Sequence, residues 1–171
     1  NSSIDQIFGS LMVFTACVMA FAHGSNDTAN AVGPVAAVFS TVLNEGVSKE
    51  AAVSAWLLLG GGVGIVLGLA MWGYRVIQTI GKEITKLTPT SGFAAELAAA
   101  TTVVIASGNA MPISTTHTLV GAVFGVGLAM SAKDLDFKVI GKIIASWLTT
   151  VPAGAILSML YLIIFRLFLE F

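Results

Sequence analysis

Apolar residues run along this chain in long blocks, and two short polar knots interrupt them. Residues 51–72, AAVSAWLLLGGGVGIVLGLAMW, carry no charge. A helix that crosses a bilayer needs roughly 20 consecutive apolar residues, so this block is expected to be a transmembrane helix. Its glycines at 60–62, 64 and 68 let another helix approach closely. Residues 139–168 also qualify, with Pro152 as an expected kink and Lys142 close enough to an interface to snorkel. Residues 7–40 are too long for one straight span, and the knot HGSNDTAN at 23–30 interrupts them. Gly24 breaks the run, and Ser25, Asn26 and Asp27 are strong N-cap types. A broken helix is therefore expected, its second half starting near Thr28 and reaching about Phe39, with Pro34 ending or kinking it. Residues 91–130 hold two shorter apolar stretches joined at 108–112, followed by the second knot, STTH at 114–117. The joint is either a tight loop at a membrane surface or the tip of a re-entrant helical hairpin. Irregular backbone at membrane depth is tolerated only where protein or a watery cavity satisfies it.

Composition agrees with that pattern. Of 171 residues, 56% are hydrophobic and 10% charged, with a mean hydropathy of +0.93. Soluble domains carry about a quarter charged residues, so the fold class expected is an all-α polytopic membrane protein, with residues 1–171 as one membrane domain. The net charge of −1 and the absence of a basic patch argue against a nucleic-acid partner. Cys17, the single cysteine, lies in an apolar run and reads as a small core hydrophobe. No basic region precedes the apolar residues 7–22 and no A-x-A-like pattern ends them, so they do not read as a secretory signal. The chain starts at Asn1, which suits a fragment or one of several pieces.

The basic residues suggest an orientation. Arg75, Lys82 and Lys86 fall in the loop 73–90, and Lys133, Lys138 and Lys142 fall around the loop 131–142. Both loops lie on one side of the membrane whether 91–130 is a hairpin or two spans. They hold six of the eight basic residues, and the positive-inside rule makes that side cytoplasmic. Lys49 then lies outside, with Arg166 near the outer end of the last helix; Asn44–Glu45–Gly46 reads as a plain surface turn.

Four ionisable residues remain inside the apolar segments: His23, Asp27, Glu96 and His117. A carboxylate at the centre of a membrane helix costs at least about 2.5 kcal/mol and usually marks a substrate, ion or proton path. No basic residue is placed by sequence proximity to neutralise Asp27 or Glu96; a bound cation or a proton could do so. The oxygens of Asn26, Asp27 and Asn30 suit a hard cation such as sodium, and the free N–H groups of a helix starting near Thr28 would attract an anion. In the second knot, Pro112 suits the first turn of a helix. Ser114, Thr115 and Thr116 then set three hydroxyls beside free backbone donors, an arrangement that fits a tetrahedral oxyanion. The plainer readings are capping for 114–116 and a packed imidazole for His117. Neither knot reads as an enzyme: no third group orients a Ser–His pair, and the glycines at 60–64 lack the residues of a phosphate loop.

Broken segments, polar knots and intramembrane acids are the general design of secondary transporters. FAHGSNDTANAVGP (21–34) and MPISTTHTLVGAVFGVGL (111–128) closely resemble the two signatures of the inorganic phosphate transporter family, and GFAAEL (92–97) after TPTS is also similar to it. Ser25 stands where the first signature usually has alanine. The resemblance covers nearly the whole chain and implies secondary transport of phosphate with sodium, or with protons; some relatives move sulfate. It implies Asn26, Asp27, Ser114, Thr115 and Thr116 as substrate-facing residues and Asp27, Asn30 and Glu96 as sodium-coupling residues. His23 and His117 are left with a proton-carrying or structural role. Family members carry the unit twice, inverted, and the flanks here are similar to the C-terminal copy. The resemblance thus implies half of an inverted-repeat transporter, whose partner is the complementary N-terminal repeat, on a separate chain, on another segment or on a second copy of this one. A homodimer in the plasma membrane and no resident cofactor complete the expectation.

Overall fold

A computed structural model describes residues 2–44, 53–131, 133 and 135–169, and all regular structure among them is helical. Glu45, Gly46 and Lys49 lie outside the described residues; Asn44 is the last residue of a helix. Five helices follow in order: α1, Ser2–Asn44; α2, Ala55–Gln78; α3, Pro89–Gly108; α4, Thr115–Met130; and α5, Phe137–Leu169. A π-helical turn, Thr79–Glu83, continues α2. Helices α1, α3 and α5, and α2 with its π-turn, are long and apolar enough to cross a membrane; α4 is apolar but shorter. The described residues form two compact units, residues 1–135 and α5 with its flanks.

The expected break in α1 is absent. The helix passes through Gly24 and Asp27 without interruption and contains Pro34. Glycine inside a helix costs only about 1 kcal/mol, whereas freeing backbone groups in lipid costs several. Asn26 and Asp27 use their side chains on other helices rather than on capping their own. At about 1.5 Å per residue, the 43 residues of α1 span about 65 Å, twice the hydrocarbon thickness of a bilayer.

In the larger unit, α3 runs parallel to α1, with contacts that advance together along both. Phe8 meets Phe93 edge-on at 5.5 Å, Met12 lies against Gly92, Thr15 reaches Glu96, and Asn26 reaches Ser107. The buried face of α3 is Gly92, Ala95, Ala99, Val103 and Ala106, a stripe at helical spacing whose small residues admit α1 closely. The start of α3 is fixed by a capping box: Thr88 accepts from the Ser91 backbone N–H, and Ser91 Oγ accepts from that of Thr88. Helix α2 runs antiparallel to α1, with Gly61 directly against Thr28 and Val32. Helix α4 returns beside α3, so that Gly127 near its end packs on Leu135 and Thr85.

The turn between α3 and α4 closes as a Schellman motif. Met111 N–H bonds the Ala106 carbonyl at 2.9 Å and Ala110 N–H bonds that of Ser107 at 3.1 Å. Ala110 adopts φ 54°, a left-handed conformation usually left to glycine. Pro112 does not enter the first turn of α4. Ser114 caps the helix by accepting from the His117 N–H at 3.3 Å, so the helix begins at Thr115, and Pro112 lies in the connecting turn. The cap decides because a side-chain acceptor satisfies a donor that proline could only remove.

Helix α5 is described by itself: 33 residues with Pro152 inside, and exposed apolar side chains all around it from Leu148 to Phe168. A helix apolar on every face suits lipid or other helices.

Candidate functional site

The polar residues of both knots come together where the middle of α1 meets the end of α3 and the start of α4. Asp27 is the centre. Its Oδ2 accepts from Thr115 Oγ1 at 2.9 Å and lies 2.9 Å from His23 Nε2, one helical turn earlier on α1. Thr115 is buried at 2% exposure, whereas His23 and Asp27 are partly open. The partner of Asp27 on its own helix is therefore His23, four residues earlier. The first turn of α4, with its partial positive charge, adds a second favourable element.

One residue earlier on α1, Asn26 is buried and engaged at both ends of its amide. Its Nδ2 donates to Ser107 Oγ at 3.0 Å, and its Oδ1 accepts from Asn30 Nδ2 at 2.8 Å. Asn30 Nδ2 also reaches the Ile113 carbonyl at 3.3 Å. This chain of amides ties α1 to both ends of the α3–α4 turn and fixes where α4 begins.

The three hydroxyls of the second knot diverge. Ser114 caps α4, Thr115 holds Asp27, and Thr116 faces a cavity of about 350 Å³ that is also lined by His23, Glu96, Thr115 and apolar residues of α1, α2 and α4. A second hollow, about 390 Å³, opens beside Asn26 and is lined by Ser25, Asn30, Ser107 and Pro112. Asn26, Asp27, Thr115, Asn30 and His23 are thus brought together, and Glu96 and Thr116 share the adjoining cavity. His117 is exposed. The free N–H groups expected at residues 24–28 do not exist, because α1 is continuous there; helix-terminal donors come from α4 alone.

Glu96 is half-buried and receives a hydrogen bond of 2.8 Å from Thr15 Oγ1. Thr15 and Ser107 are site residues that sequence reasoning missed. Each is a lone hydroxyl in an apolar run, VFTACV or VIASGN, and that was the available signal. Nothing in the sequence marked Ile113, since it contributes only its carbonyl.

A membrane chain with two polar signatures converging on one carboxylate matches a known group over most of its length: the model of the phosphate transporter family covers residues 1–158. The chain belongs to the phosphate transporter family. Inorganic phosphate transporter 2-1, chloroplastic, of Arabidopsis thaliana is 53% identical over 96% of this chain and 28% of its own length. Sodium-dependent phosphate transporter 1 of Homo sapiens is 48% identical over 95% of this chain and 24% of its own. A solved structure described as the sodium-dependent phosphate transporter superposes with a TM-score of 0.78 at 42% identity, covering 88% of this chain and 38% of that one. This member of the family spans between about a quarter and two-fifths of the length of these proteins.

Proposed function

We propose that this chain supplies one repeat of a secondary transporter that carries inorganic phosphate coupled to sodium. The observation that carries the reading is the Asp27 carboxylate, set on mid-α1 and held from the first residue of α4 by Thr115. An anion entering lipid needs counter-charge. A carboxylate recruits a cation, and the cation together with the start of α4 lowers the cost of admitting the oxyanion. Phosphate sits beside Thr116 and the α4 terminus, with Asn26 and Asn30 holding that terminus in place. Sodium is bound by Asp27, with Asn30 and Glu96 as further oxygen donors.

The complementary N-terminal repeat completes the pocket from the other side, and access alternates as one bundle rocks against the other. Helices α3 and α4 form a re-entrant hairpin: the 16 residues of α4 reach about 24 Å, short of the roughly 30 Å core. The loops 73–90 and 131–142 face the cytoplasm of a plasma-membrane homodimer. The names of the relatives support phosphate and, for the human protein and the solved structure, sodium.

The test is phosphate uptake into liposomes by the assembled transporter under an inward sodium gradient. Asn at position 27 keeps an oxygen to accept from Thr115 but loses the charge, so Asp27→Asn is expected to fold and to abolish accumulation. Unchanged uptake removes Asp27 from the mechanism. The His23–Asp27 contact favours a second reading, proton coupling through that pair. Accumulation driven by a pH gradient in sodium-free buffer would establish it in place of sodium.

A further inference from the structure

The two acids of the site are gripped in the same way. Thr115 and His23 both approach Asp27 at Oδ2, and Thr15 donates to Glu96 at Oε2, 2.8 Å away. Each grip uses one oxygen of a carboxylate. The second oxygen, Oδ1 of Asp27 or Oε1 of Glu96, carries none of these bonds and is left to a ligand.

Glu96 has the greater need of such a grip. Its side chain is long, and its terminal torsion is broad, so an unheld carboxylate would swing. Thr15 removes that freedom. It is 3% exposed and lies on α1 where Phe8 meets Phe93 and Met12 meets Gly92, so its hydroxyl is fixed relative to the backbone of α3. The Met12 and Leu11 carbonyls are also near Thr15 Oγ1, at 3.0 Å and 3.3 Å. The hydroxyl has a single proton, and its bond to a carboxylate is stronger than a bond to a neutral carbonyl.

A cation site selects by size through its dimensions, the number of its ligands and their flexibility. A mobile ligand closes on a smaller ion and opens for a larger one, whereas a fixed ligand holds one distance. We propose that Thr15 is a positioning residue for the coupling cation: by fixing one oxygen of Glu96 it sets where the other meets the ion, and so sets the preference for sodium over the smaller lithium ion. The inference rests on sodium-coupled transport with Glu96 as an oxygen donor, and it adds the residue that makes the site size-selective. A merely structural role for Thr15 would change stability or maximal rate and would affect both cations alike.

The experiment measures phosphate uptake into liposomes by the assembled transporter, driven by a gradient of sodium or of lithium. Its readout is the ratio of the two half-saturating concentrations, with the phosphate KM taken at saturating sodium. Thr15→Val puts a methyl in place of the hydroxyl, next to an apolar groove lined by Val18, Leu97 and Ala100. It should raise half-saturating sodium roughly tenfold, the effect of losing one charge-assisted hydrogen bond. Lithium should be affected by less than about threefold, because the freed carboxylate closes on the smaller ion, so the preference for sodium shrinks by about threefold or more. The phosphate KM should stay in place. Thr15→Ser restores the hydroxyl and should restore the preference. Thermal melting with each cation gives the same ratio for any variant that transports too slowly, since a bound cation raises the melting temperature. Thr15→Ala is read in the same way if Thr15→Val fails to assemble. The inference is overturned if the preference between the two cations is unchanged without the hydroxyl, if the phosphate KM moves as far as half-saturating sodium, or if Thr15→Ser is as impaired as Thr15→Val. Sodium-independent uptake by the wild type would instead refute the parent reading, whatever the Thr15 variants do.

Discussion

Gly61→Ala tests how tightly the helix that carries Asp27 is held. A Cβ on Gly61 would stand 2.6 Å from Val32 Cγ2 and 3.2 Å from Thr28 Cγ2. Carbon atoms in good contact are about 3.5–4.0 Å apart, so α1 and α2 must separate by about 1 Å or Val32 must leave its rotamer. Val32 is buried and β-branched, with one strongly preferred χ1 in a helix, so the helices rather than the side chain must give. Overpacking of this kind costs about 1–3 kcal/mol. The buried, β-branched Val32 places this site in the upper part of that range, and alanine returns up to about 1 kcal/mol through helix propensity, so about 2–3 kcal/mol falls to a net loss of about 1–2 kcal/mol. Thermal unfolding of the assembled transporter in detergent reads this directly, with Trp56 and Trp72 on α2 as reporters. The variant should melt a few degrees lower. Adding Val32→Ala removes the clash, and the double variant should be more stable than the sum of the two single losses predicts. The reasoning is refuted if Gly61→Ala melts with the wild type, or if Val32→Ala adds its own loss in full.

Ala110→Gly should raise stability by about 1 kcal/mol, because glycine adopts the left-handed conformation of the α3–α4 turn without strain; the same melting assay checks it. Ser107→Ala leaves Asn26 Nδ2 without its acceptor and should lower stability by about 1–3 kcal/mol. Uptake by the Ser107→Ala transporter should fall as the start of α4 loosens, and Ser107→Thr should recover both properties.

How much could be read in advance follows from how each feature is encoded. Long apolar blocks encode helices, so the expected spans at 51–72 and 139–168 correspond to α2 and α5, shifted by a few residues at their ends. The joint expected at 108–112 falls where α3 ends at Gly108 and the turn to α4 begins. The break at 23–27 was misread for a physical reason. Asn26 and Asp27 are cap-forming types when no partner is near, and only the fold brings Ser107 and Thr115 within reach of them. The same limit hid Thr15: a threonine in an apolar helix usually bonds its own backbone, and Glu96 lies 81 positions away. The family signatures marked Asp27 and Thr115 without indicating that they touch. They also grouped Ser114, Thr115 and Thr116 as equals, although successive residues on a helix point about 100° apart and so serve three different neighbours.

The continuity of α1 has a mechanical consequence. A rod about twice as long as the hydrocarbon core is thick carries its carboxylate near its centre, with the helix unbroken there and Pro34 about two turns further on. Such a rod has no joint beside the acid at which motion could be absorbed. A tilt imposed at the N-terminal end, where no proline intervenes, therefore arrives at Asp27 as a change in its distance from α4, and the grip of Thr115 on the carboxylate becomes a gauge of how that part of the helix leans.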